Sequence, residues 1–168
     1  MTTTDFKNRV LILVAPGFEE TAVIHCMTQL RQASLPVSLV GLVSGRVTGW
    51  HGLSICPDLH LDQVDPYETL KLVVIPGGRQ CATMLLTDPR VHRLLNTLID
   101  QDGRVGVMDT AVSIVTQSGL LPASMGVHYV LQNGENIDGF VAELISCARR
   151  TQKKEGAAKR IRRESSVS

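Results

Sequence analysis

The sequence predicts an α/β fold built on a parallel sheet, and three observations carry that prediction. Three apolar runs, Arg9 to Ala15, Leu70 to Ile75 and Val105 to Met108, lack polar alternation. That is how strands buried on both faces read. Each run stops at a Pro-Gly pair or a single polar residue, and a stretch with helical apolar spacing follows. Strands alternating with helices in this way are the pattern of a layered sandwich joined by right-handed crossovers.

The elements follow in order. The first strand ends at Pro16-Gly17, and a helix runs from the Glu19-Glu20 pair to about Gln32, with Val23, Met27 and Leu30 on one face. The second strand spans Val37 to Val43. Gly41, Gly45, Gly49 and Gly52 then punctuate a region of short strands through Ile55. The third strand, Leu70–Ile75, is stopped by Pro76-Gly77-Gly78. Asp88-Pro89 opens a helix whose apolar face holds Val91, Leu94, Leu95 and Leu98, with Asp as cap and Pro at the first position. The fourth strand, Val105 to Met108, turns at Asp109 into a helix ending at Gly119. A terminal helix carries Phe140, Val141, Leu144 and Ile145, with Asp138 placed to cap it.

Composition bounds the function. The 168 residues are 43% hydrophobic, enough for one domain with a real core. No apolar run is long enough for a transmembrane segment, and Met1 to Lys7 lack the apolar stretch of a signal peptide, so a cytoplasmic protein is expected. Cys26, Cys56, Cys81 and Cys147 show no metal or redox spacing and read as buried free thiols. His25, His51, His60 and His92 are scattered, so no metal and no cofactor are expected. Residues 149–168 hold eight lysines and arginines against two glutamates, a net +6, which leaves −5 on residues 1–148. The chain thus divides into an acidic α/β domain, 1–148, and a basic, flexible tail, 149–168, open to contact with nucleic acid or an anionic surface.

The turn at Asp109 is where chemistry is expected. A sharp strand-to-helix turn pushes its pivot side chain out at the carboxyl end of the sheet, where open α/β folds bind ligands. Its backbone is usually strained to positive φ, which Asp tolerates better than most residues.

Several blocks in one continuous order resemble the ThiJ/PfpI superfamily, and its PfpI-type intracellular protease branch in particular. They are Val10-Leu11-Ile12-Leu13 with Gly17-Phe18-Glu19-Glu20, then Gly45 to Gly52, Val74 to Arg79, Asp88 to Val91, and Ser118-Gly119-Leu120-Leu121. The resemblance covers about three quarters of the chain. It implies the flavodoxin-like, class I glutamine-amidotransferase-like sandwich, assembled as a homodimer or larger homo-oligomer.

The resemblance also implies a cysteine at the turn, in a pattern like Ala-x-Cys-x-Gly, where this chain reads Val107-Met108-Asp109-Thr110-Ala111. The histidine that protease-type members carry next is Thr110 here, and the glutamate that bonds the cysteine is Ala22. Gly77 and Gly78, with the Thr110 N–H, would form the family's oxyanion hole. Glu19 would line the cleft mouth, although Glu19 and Glu20 read more simply as solvated first-turn acids. Arg79 is placed at the pocket rim or in a solvated loop. His128 lies one residue out of register with a family histidine, a register that Tyr129 fits. After Leu131 the chain passes almost at once into its last helix, so the fold is C-terminally shortened relative to the family.

Two functions follow. The first is a non-catalytic domain, small-molecule-binding, regulatory or scaffolding, in which Asp109 only caps its helix in a retired active site. The alternative is a hydrolase or lyase on small carbonyl compounds, glyoxalase-, deglycase- or peptidase-like. It would use Asp109 as nucleophile and His128 as partner base.

Overall fold

The computed structural model describes residues 9–65, 68–119, 128–132, 134 and 136–164, the stretch from 151 onward as backbone only. Leu120-Leu121 of the last matching block, Asn133 and Glu135 of the shortened connection, and residues 165–168 of the tail lie outside the described residues.

Among the described residues the chain runs β1 (Arg9–Val14), α1 (Glu20–Gln32), β2 (Val37–Gly41), β3 (Val47–Thr48), β4 (Ser54–Ile55), β5 (Leu59–His60) and β6 (Leu70–Ile75). It continues as α2 (Arg79–Thr87), α3 (Pro89–Asp100), β7 (Arg104–Val107), α4 (Asp109–Gln117), β8 (Tyr129–Leu131) and α5 (Ile137–Glu164). The sheet has the order β5-β2-β1-β6-β7-β8, and every pairing in it is parallel. β3 and β4 form a separate antiparallel hairpin. All residues of β1 and β6 are buried, the charged Arg9 and Lys71 among them, as strands covered on both faces require.

The strand order decides where a crevice forms. From β1 the chain moves outward to β2 and β5, then returns to β6 on the other side of β1 and moves outward again through β7 to β8. Connections leaving β1 and β6 therefore diverge, and the gap opens at their carboxyl ends. Right-handed crossovers put α1 on the face opposite α3 and α4. Accordingly α5 packs on α1 and covers β6, β7 and β8, while α2 packs on α3 and α4. Gly106 lets α5 approach closely, because a Cβ there would lie 2.8 Å from the Leu144 side chain.

Several local expectations are met in detail. β6 occupies the residues predicted, and the Asp88 carboxylate accepts the Arg90 N–H at 2.9 Å as a helix cap. Others are corrected. Helix α2 follows β6 at once, so Arg79 is a first-turn helical residue rather than a loop residue. Asp138 does not cap α5; Asn136 accepts the Gly139 N–H, and Asp138 pairs with His25 on α1 at 2.7 Å. β5 adds an edge strand that two residues of sequence could not signal. Of the cysteines, Cys26 and Cys81 are buried, Cys147 is half-buried and Cys56 is exposed.

Candidate functional site

Three loops meet at the carboxyl ends of β1, β6 and β7, and each contains a residue of positive φ: Gly17 at 82°, Gly78 at 101° and Asp109 at 23°. The first two are glycines, for which this region is open. Asp109 is not, and its conformation is a local strain held by the surrounding structure. Hydrogen bonds lace the loops together. The Glu19 N–H donates to the Gly77 carbonyl at 3.1 Å, and the Met108 N–H donates to the Ile75 carbonyl at 3.0 Å. A Cβ on Gly78 would stand 2.2 Å from the Gly17 carbonyl oxygen, so the β1 and β6 loops touch backbone to backbone.

Asp109 is exposed and is the first residue of α4, with Met108 in the cap position. Among the described residues its carboxylate accepts no hydrogen bond, and the Met108 side chain makes no cap bond. The capping role expected for it is therefore not what the structure has. Its N–H donates to the side-chain oxygen of Gln132 at 3.2 Å. Gln132 is 9% exposed and follows directly on β8.

His128 lies elsewhere. Tyr129 pairs with Val105 and Leu131 with Val107, which puts His128 before the start of that ladder, at the amino end of the sheet. Its ring Nδ1 sits 3.1 Å from the Gly103 carbonyl and 3.2 Å from the Arg104 guanidinium. From Arg104 to Asp109 the strand advances about 16 Å, so the base proposed for Asp109 is at the wrong end. Gln132 was missed. Its signal was register, since it is the polar residue ending the apolar run of β8 as Asp109 ends that of β7.

Gly77, Gly78, Thr110 and Glu19 do come together. A Cβ built on Gly77 would lie 2.7 Å from Glu19 Oε2 and 3.4 Å from Thr110 Oγ1, so both oxygens overhang bare backbone. The Gly78 N–H, however, donates to Thr110 Oγ1 at 2.7 Å. An oxyanion hole needs N–H groups aimed at empty space that a developing charge will fill. Here the Gly78 N–H, one of the donors the resemblance assigns to that hole, is already paired with the Thr110 hydroxyl. Arg79 is exposed at the start of α2.

Glu20 departs most from expectation. It is 5% exposed, not a solvated first-turn acid. Its carboxylate accepts the His51 N–H at 2.6 Å, bonds the His51 ring Nδ1 at 2.9 Å, and accepts the Leu53 N–H at 3.4 Å. Burial by itself pushes this carboxyl up. Hydrogen bonds from its own N–H, from both groups of His51 and from Leu53 outweigh that and hold it below its ordinary value. The turn between β3 and β4 is thereby anchored beside the crevice, and the Trp50 N–H donating to the Phe18 carbonyl at 2.9 Å fixes it further.

The arrangement offers two carboxylate acceptors, Glu19 and Asp109, beside a Thr110 hydroxyl whose oxygen accepts from Gly78 and whose proton is left to donate. The buried thiols contribute no nucleophile, because burial pushes Cys26 and Cys81 up to about 12. No metal-holding cluster of His, Cys, Asp and Glu occurs among the described residues.

Comparison with known proteins agrees with this architecture. The DJ-1/PfpI family profile matches residues 8–135. The deglycase TK1284 of Thermococcus kodakarensis is 30% identical over 123 residues, covering 73% of this chain and 72% of that protein. The deglycase PfpI of Pyrococcus furiosus is 27% identical over 122 residues, with coverage of 73% and 72%. Among solved structures, oxidized DJ-1 of Toxoplasma gondii superposes with a TM-score of 0.72 at 20% identity, covering 88% of this chain and 97% of that one. DJ-1beta of Drosophila melanogaster gives 0.69 at 20% identity with the same coverage, 88% and 97%. With the family profile spanning most of the chain, a relative 30% identical over nearly three quarters of it and the fold in agreement, this protein belongs to the DJ-1/PfpI family.

Proposed function

We propose that this chain is a non-catalytic DJ-1/PfpI domain that binds a small polar molecule in the crevice and acts in regulation or scaffolding. The observation that carries the reading is the Gly78 N–H paired with Thr110 Oγ1 at 2.7 Å, beside an aspartate where the family resemblance calls for a cysteine. A donor already satisfied inside the protein gives little to a developing oxyanion, and no described base bonds the Asp109 carboxylate. The crevice presents acceptors, so its ligand is a small hydrogen-bond donor or cation. The free thiols of Cys26, Cys56 and Cys81 fit a reducing, cytoplasmic setting. No helix among the described residues is long and apolar enough to cross a membrane.

Turnover of methylglyoxal and of an aryl ester by wild type, Asp109→Ala and Asp109→Cys tests this. Wild type and Asp109→Ala are expected to show no rate above the uncatalysed background. Activity in Asp109→Cys alone, or only with Thr110→Ala added, fits a cleft that has lost its nucleophile. Wild-type turnover abolished by Asp109→Ala would overturn the reading. It would favour the alternative, a hydrolase or lyase on small carbonyl compounds, for which the strained, exposed and unbonded Asp109 carboxylate is the supporting observation.

The domain is further proposed to be a homodimer. Trp50 is 69% and Leu53 44% exposed on the turn held by Glu20, and Ile24, one helical turn from Glu20 on α1, is 41% exposed. Sedimentation is expected to give about twice the 18.3 kDa chain mass. Trp50→Asp is expected to weaken the dimer at least about 30-fold, a loss of about 2 kcal/mol. A monomeric wild type at tens of micromolar would remove the dimer from the proposal.

A further inference from the structure

Helix α5 is longer than the sheet it covers. Phe140, Val141, Leu144 and Ala148 form its buried face, at the three- and four-residue spacing of one helical stripe. Ala148 is the last buried residue among the described side chains, yet the helix runs on for sixteen residues to Glu164. At 1.5 Å per residue that is about 24 Å of additional helix. Arg149 still ties to the body, donating to the Ala33 carbonyl at 3.3 Å, and Arg150 donates to Ser146 of its own helix. Beyond them lie Lys153, Lys154, Lys159, Arg160, Arg162 and Arg163 against Glu155 and Glu164, a net +4.

Stabilisation of the helix's own carboxyl end accounts for only part of this charge. The dipole favours cations within the last turn, which reaches Arg162 and Arg163 and leaves the lysines at 153, 154 and 159 unexplained. A membrane surface fits poorly. Interfacial helices need a broad apolar face with aromatic or leucine anchors, whereas residues 151–164 contain one large apolar residue, Ile161, and no aromatic one. A polyanion in water needs only the charge. Duplex nucleic acid offers about one phosphate per 1.7 Å of axis, roughly twelve along the ~21 Å of residues 151–164. The net −5 of residues 1–148 would repel it at close range. The Debye length is about 8 Å at physiological salt, so the far part of a ~21 Å arm escapes most of that repulsion.

We propose that residues 151–164 form a helical arm that binds the phosphate backbone of double-stranded nucleic acid without sequence preference. This stands apart from the crevice and from the non-catalytic role proposed for it.

The test is fluorescence anisotropy of a labelled 30-base-pair DNA of arbitrary sequence with the full chain at several salt concentrations. Wild type is expected to bind with a Kd of about 10⁻⁵ M near physiological salt, and about a thousandfold more weakly at 200 mM than at 50 mM salt if all six cations meet phosphates. Replacing the six by Gln is expected to abolish binding while the thermal unfolding of the body is unchanged. Gly156→Pro keeps every charge and breaks the helix, and is expected to weaken binding at least about tenfold. Several results would overturn the proposal: no binding at 50 mM salt, binding unaffected by the six substitutions, or binding to phosphatidylserine vesicles but not to the duplex. Undiminished binding by Gly156→Pro would overturn the helical arm.

Discussion

Gly78→Ala is expected to destabilise the protein by about 3–5 kcal/mol, the sum of backbone strain and overpacking. The residue sits at φ 101°, and an added Cβ would meet the Gly17 carbonyl oxygen at 2.2 Å and the Phe18 Cα at 3.3 Å. Both obstacles are backbone, so no rotamer change relieves them. At roughly 2–4 °C per kcal/mol for a chain of this size, the melting temperature should fall by about 10–15 °C. Gly45→Ala is the control. Its φ is 108°, but nothing lies within 4 Å of the added carbon, so only the strain of about 1–2 kcal/mol remains. If the two variants melt together, the backbone contact between the β1 and β6 loops is not what holds the crevice in shape.

Glu20→Ala is expected to cost about 2–3 kcal/mol at neutral pH, because it leaves the His51 and Leu53 N–H groups without their acceptor. The pH dependence has a definite sign. The folded-state carboxyl is held below its ordinary value of 4.5. Its contribution is therefore fully present above that value and is lost as pH falls through the lower folded value. Urea unfolding at pH 7 and again below pH 4 should show a steeper acid loss in wild type than in Glu20→Gln, which has no such proton to take up. Equal losses would mean that the carboxylate is not specifically stabilised by the β3–β4 turn. Gly49 supplies the space for this arrangement, since a Cβ there would lie 2.4 Å from the Glu20 Cδ.

These two residues were not equally legible. Gly78 was marked by its place in Pro76-Gly77-Gly78 after an apolar strand, and glycine there signals a turn whatever the rest of the chain does. Glu20 was misread because a carboxylate in a first helical turn is ordinarily solvated. What buries it is a hairpin turn about thirty residues away, and no local pattern encodes that contact. The loop placement offered for Arg79 failed for a related reason. Helix α2 is short, and the glycines before it resemble a loop until the crossover from β6 has to be covered.

By itself the sequence determined the layered parallel architecture, the strands β1, β6 and β7, the capped start of α3, and the position of Asp109 at a strained turn. All of these follow from local apolar periodicity and from what Gly, Pro and Asp permit in the backbone. Tertiary structure decided what the turn can do. Strand register placed Gln132 beside Asp109 and sent His128 to the far end of the sheet. Loop packing put the Thr110 hydroxyl on the Gly78 N–H. Those partners lie 23 and 32 residues apart. A hydrogen bond depends on tenths of an ångström between chain segments that only the assembled sheet brings together.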